Sequence, residues 1–172
     1  MARFRQDVIE ILRKANITVS TTSTALFIYT KQGRARISEL LTQLEVSRFL
    51  PPAQQERLTR MVGAAESEAS FAYYDRWLEA SKANAADAHR AGVKVVVGTD
   101  YSPFLGFLGV HWEMEFLVQA GLTPLEALRA ATQEAALAFG LEGQLGIIAP
   151  GAVADLVVLD ADPLEDLSLI HI

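Results

Sequence analysis

The apolar positions change their period several times along the chain. Phe4, Val8, Ile11 and Leu12 recur at helical spacing, and Arg13, Lys14 and then Asn16 follow. This pattern predicts an amphipathic helix over residues 4–15 that Asn16 closes. The next stretch, ITVSTT, is β-branched and predicts a buried strand over 17–22, with a loop after it. A short helix is expected over 37–47. Pro51 and Pro52 end that region and suit the first turn of the next helix. From 53 to 90 there is no proline. Leu58, Met61, Val62, Ala65, Phe71, Tyr74, Trp77, Leu78 and Ser81 keep a helical period, as one long helix or as two that break near Gly63. Gly92 stands where a helix ends in the left-handed conformation, and residues 93–98 form a strand.

The later chain has sharper signals. Phe116, Leu117 and Ala120 place a helix over 111–120, closed by Gly121. In LTPLEALRAAT, Thr123 is an N-cap, Pro124 takes the first helical position and Glu126 completes a capping box. Leu125, Leu128 and Ala131 or Thr132 are the expected buried face, with Gly140 at the end. IIAPGAVADLVVLDADP then carries only turn and strand signals: a type II turn at Pro150–Gly151 and a strand in ADLVVLD. Helices alternating with single strands predict an α/β fold with a parallel sheet, and a tail in another layer.

Composition narrows the classes. The chain has 172 residues, of which 51% are hydrophobic and 21% charged, enough for one packed domain. Its net charge is −6 without a basic patch, which argues against nucleic acid as a partner. It has no cysteine, so a disulfide framework and a Cys-based zinc site are excluded. No apolar run approaches the ~18–20 residues of a membrane span. The start, MARFRQDVIEILRKANI, is charged and amphipathic, unlike a signal peptide. The compartment stays open, with a slight lean to the cytoplasm.

One stretch points to chemistry. In VVVGTDYSPF a buried strand runs into Gly98, Thr99 and the carboxylate of Asp100. In β/α folds the reacting groups sit at the carboxyl ends of the strands. Asp is also a common turn or cap residue, and local pattern alone leaves the two readings even. Tyr101, Ser102 and Phe104 follow it and either line a substrate mouth or cover the barrel end. Thr21 and Thr22 end the earlier strand; Thr22 either touches substrate or is simply a good strand residue.

The series HRAGVKVVVGTDYSPFLG, HWEMEFLVQAGLTPLEALRAATQEAALAFGL and GQLGIIAPGAVADLVVLDADPLEDL resembles the amidohydrolase superfamily. It is most similar to the imidazolonepropionase-like and Xaa-Pro dipeptidase-like branch. The resemblance covers about residues 89–167, with a less distinct match before it. It implies a (β/α)8 barrel of the TIM type and a small β-sandwich. This chain would supply the last two barrel strands and their helices (1–142), sandwich strands (143–167) and a non-native tail (168–172). It further implies a divalent metal, usually zinc, that activates a water for attack on an amide or related carbonyl. Asp100 falls on the family's strand-eight aspartate, which binds metal or its water, takes the water's proton and passes it to the leaving nitrogen.

The family's other ligands are an HxH pair on the first strand and histidines on the fifth and sixth. Only His89, His111 and His171 occur here, none in such a pair. The resemblance therefore places the start of the chain after the sixth strand, with Asp100 the one metal ligand it carries. His111, before Glu113, is a contact to substrate or its surroundings, or a helix-start residue packed on the loop. His89 reads as a helix C-terminal residue, and His171 lies in the tail. Asp155 and Asp160 read as turn and edge residues of the sandwich, and Tyr73, Tyr74 and Trp77 as core.

Two functions follow. The first is the C-terminal portion of a metal-dependent hydrolase that cleaves a C–N bond in a cyclic amide or dipeptide-like small molecule, inactive as an isolated piece. The second is a non-catalytic α/β module that binds a partner or completes a barrel in an assembly. Uncovered strand edges predict aggregation or homo-oligomers for the isolated chain.

Overall fold

A computed structural model describes residues 3–43, 50–100 and 108–167. Helix α1 spans Gln6–Lys14, and Asn16 stops it in the left-handed region at φ 53°. Strand β1 is Val19–Thr21. A five-residue helix, α2 (Ser23–Phe27), follows at once where the sequence predicts a loop. Helix α3 is Lys31–Thr42, earlier than the expected 37–47. Thr30 sets its start, accepting from the Gly33 amide at 2.9 Å. Residues 44–47 of the expected helix lie outside the described residues.

The long helical stretch is two helices, α4 (Pro52–Gly63) and α5 (Glu68–Arg90). Ser67 caps the second, accepting from the Ser70 amide at 3.1 Å. Strand β2 is Val95–Val97 and pairs parallel with β1 in the register Val19↔Val95, Ser20↔Val96, Thr21↔Val97. Helix α6 is Gly109–Gln119. Helix α7 (Pro124–Ala131) opens on the predicted capping box, with Thr123 and Glu126 bonded reciprocally. Thr132 breaks the stretch at φ −128°, ψ −90°, and α8 (Gln133–Ala138) continues it. The buried face of α7 is Ala127 and Ala130, not Leu125, which is 41% exposed. Alanines there let α7 lie close against α6.

Two apolar cores share one helix. Met114 and Leu117 of α6 pack with Ile9, Val93 and Val95, while Trp112 and Phe116 pack with Phe27, Ile37, Leu58 and Leu78. Phe27 meets Trp112 and Phe116 edge to face, each at a centroid distance of 5.1 Å. At about 100° per residue, positions 112 and 116 fall on one side of α6 and 114 and 117 on the other. Position 113 falls between them and faces the corner where β1 turns into α2.

The predicted strand in ADLVVLD does not form. Residues 153–159 carry no ladder, and Val158 is 94% exposed. A strand needs a partner for its backbone groups, and no described strand lies beside this one. The type II turn ahead of it is present: Ala152 N–H donates to Ala149 O at 3.1 Å, and Gly151 has φ 89°. The observed architecture is thus mixed α/β with a two-stranded parallel sheet among the described residues.

Candidate active site

Both strands run parallel, so both carboxyl ends open on the same side. Thr22 stands at the end of β1 as the N-cap position of α2 and is exposed. Asp100 stands three residues past β2 and is exposed. His111 lies half-buried in the first turn of α6. Tyr101, Ser102, Phe104 and His171 lie outside the described residues.

Asp100 has φ 49°. This left-handed conformation costs an ordinary L-residue about 1–2 kcal/mol, and Asp and Asn bear it best. Backbone strain of this kind collects where a side chain must be aimed. Aspartate takes the same conformation in plain turns.

The strands beneath Asp100 are held very close. Thr21 O accepts from the Gly98 amide at 2.9 Å, one step beyond the register pairs. A Cβ on Gly98 would stand 2.3 Å from Ser20 Oγ, which could rotate away, and 2.9 Å from the backbone oxygen of Thr21, which could not, so glycine is what permits this approach. A Cβ on Gly109 would stand 3.0 Å from Thr99 Cγ2, which seats the residue before Asp100 against the start of α6.

Glu113 is the polar centre of the corner. It is fully buried, at 0% exposure. Its Oε1 accepts from the Ser23 amide at 2.9 Å, and its Oε2 accepts from the Thr24 amide at 2.7 Å. Thr24 Oγ1 lies 2.9 Å from Oε2 and 3.1 Å from Gly109 O, two acceptors for one hydroxyl proton. A buried carboxylate is costly unless hydrogen-bonded, and here backbone and side-chain donors supply those bonds. Ser23 Oγ stands 2.9 Å from Ser81 Oγ, which ties the corner to α5 as well.

Sequence reasoning noted Glu113 only as His111's neighbour and passed over Thr24 and Ser20. One signal was available for Glu113. It is an acid on a helix face shared with Trp112, Phe116 and Leu117, where a charge demands a partner. Nothing local marks Thr24, because its partner lies 89 residues away.

The remaining sequence candidates are structural. His89 Nε2 lies 3.6 Å from Glu126 Oε1, near the end of α5. Tyr73, Tyr74 and Trp77, expected in the core, are not buried: Tyr73 is 45% exposed and its ring meets those of Tyr74 and Trp77 on an outer face of α5, and Asp155 and Asp160 are exposed in the tail. An apolar groove of about 720 Å³ lies between α7–α8 and the tail, lined by Phe139, Ile148, Val157 and neighbours, and includes none of the mouth residues.

Among the described residues, no group of three or more His, Cys, Asp or Glu could hold a metal ion. A catalytic zinc takes three protein ligands.

The amidohydrolase family profile matches residues 4–171. An imidazolonepropionase from Pyrobaculum arsenaticum is 45% identical over 75 residues, 43% of this chain and 19% of that protein. An ochratoxinase from Aspergillus niger is 40% identical over 84 residues, 48% of this chain and 17% of that protein. The crystal structure of a prolidase complexed with N-methylphosphonate-L-proline superposes with a TM-score of 0.66 at 27% identity, over 96% of this chain and 33% of that one. The chain thus spans about a third of its solved neighbour, and its matches cover under a fifth of the curated relatives.

Proposed function

Since the chain belongs to the amidohydrolase family, we propose that it supplies the last two strand ends of a (β/α)8 barrel that hydrolyses an amide C–N bond. The observation that carries this reading is the pair of parallel strands opening at one side onto Thr22 and Asp100, the latter in a left-handed conformation. The imidazolonepropionase and prolidase relatives support a cyclic amide or a dipeptide-like molecule as substrate.

Asp100 is the acid/base group of this reading. Its carboxylate takes a proton from the attacking water as the C–O bond forms. It returns that proton to the departing nitrogen as the C–N bond breaks. Thr22 and His111 flank the substrate. Family members are generally metal-dependent; the metal supplies Lewis acidity at the carbonyl and its water, and zinc is the ion we propose. Its remaining ligands would come from outside the described residues. In this reading the 172-residue chain alone has no turnover, and the tail completes a small sandwich (143–167) in the whole protein.

The test is a complete barrel carrying this segment, assayed with imidazolone-type cyclic amides and with Xaa-Pro dipeptides. At least one class should be hydrolysed. Asp100→Asn should lower kcat/KM by at least about 10²–10⁴-fold, the ordinary worth of general acid–base catalysis. Asparagine is the right replacement, because it tolerates the left-handed backbone where alanine does not. Full activity in Asp100→Asn would refute the assignment.

A further inference from the structure

We propose that Glu113 is the positioning residue of this mouth, holding the end of β1 and the end of β2 at a fixed separation. This role rests on the reading of the strand ends as the active site, but its geometry stands independently.

The contacts form one short series. Glu113 accepts from the Ser23 and Thr24 amides, which fixes the first turn of α2 and with it the backbone next to Thr22. Thr24 Oγ1 reaches both Glu113 and the Gly109 carbonyl, which fixes the same corner to the start of α6. Thr99 lies beside Gly109: a methyl group added there would stand 3.0 Å from Thr99 Cγ2, so the side chain of Thr99 occupies the space that the glycine leaves free. Thr99 is bonded to Asp100. A displacement at Glu113 therefore acts on the β1 end through its hydrogen bonds and on the β2 end through Thr24, Gly109 and the Thr99 side chain beside it.

The choice of a carboxylate follows from what it must hold. Two backbone N–H groups converge with a hydroxyl in a site sealed from water, and an acceptor with two oxygens serves all three. Bonds to a carboxylate are shorter and stronger than neutral ones, which suits a part that must stay rigid. A glutamine keeps the shape but turns an N–H₂ group toward one of these donors. An apolar residue at 113 would leave two buried amides without partners.

The readout is the backbone amide NMR signal of Asp100 in the 172-residue chain, with the signals of Ala127 and Ala130 as references in the other core. Glu113→Gln and Thr24→Val should each move the Asp100 signal more than either reference. Thr24→Ser keeps the hydroxyl and should leave it in place. Leu78→Ala is the control for a merely structural effect: it should lower Tm without moving the Asp100 signal. If Glu113→Gln fails to fold, the Thr24→Val and Thr24→Ser pair carries the same test. An unmoved Asp100 signal in Glu113→Gln or Thr24→Val, or an equal movement in Leu78→Ala, overturns the proposal. No turnover enters this measurement, so loss of the catalytic reading of Asp100 would leave it standing, and its own failure would leave that reading untouched.

Discussion

The mouth and the tail have equally clear strand patterns and opposite fates. At the mouth, VST and VVV pair, and their ends are fixed by Glu113, Thr24 and two close glycine approaches. In the tail, ADLVVLD carries an equally clear apolar run, LVVL, yet Val157 and Val158 stand exposed and no ladder forms. The difference lies in partners rather than propensity. β1 and β2 have each other and five helices to cover them, while the tail has one wall of a groove. β propensity expresses fit to neighbours, and the tail shows what remains when the neighbours are absent from the described residues.

The largest effect should come from beneath the corner. Phe27 is buried against Trp112 and Phe116. Phe27→Ala should cost about 3–5 kcal/mol, the usual range for an aromatic cavity, as read by denaturant unfolding. A loss below about 1 kcal/mol would mean that the mouth is no better packed than the tail.

Next comes Gly109→Ala. Its methyl would press on Thr99, and overpacking of this kind costs about 1–3 kcal/mol. Unchanged stability would show that Thr99 moves freely and that the mouth is looser than described.

Acid should also weaken the packing around α5. A hydrogen bond from Arg3 holds the Asp87 carboxyl below its ordinary range; desolvation opposes it in part, and a lesser hydrogen bond from Arg90 adds to the lowering. The unfolded state then binds a proton at higher pH than the folded one. The stabilisation is complete above the ordinary carboxylate range and is lost as pH falls through the lower folded pKa. Tm should therefore decline across that acid window, and less steeply in Asp87→Asn. Equal slopes would remove Asp87 from the account.

The smallest effect belongs to the tail. Val158→Lys should change stability by no more than about 0.5 kcal/mol, as exposed substitutions do. Sedimentation should show the parent chain self-associating through its apolar tail and this variant less so. A large destabilisation would mean that Val158 is packed after all.

The sequence showed the parts of this fold whose causes are local. The capping box at Thr123–Glu126, the stop at Asn16 and the turn at Pro150–Gly151 are all written within a few residues. The family resemblance likewise rests on ordered short motifs, and the family match bears it out. Helix α2 was misread as a loop because its first turn is held by Glu113, 90 residues from Ser23. ADLVVLD was misread as a formed strand because pairing depends on a partner that no local pattern supplies. The place of Asp100 just past β2 was legible; the hydrogen bonds of Glu113 to Ser23 and Thr24, 90 and 89 residues away, were not.

Hydrogen exchange along the intact 172-residue chain tests this contrast most directly. The account predicts strong protection at Ser23, Thr24 and Gly98, whose amides are bonded in the buried corner, and rapid exchange across residues 154–159. Equal protection of the two regions would contradict it, as would a protected tail beside an open mouth.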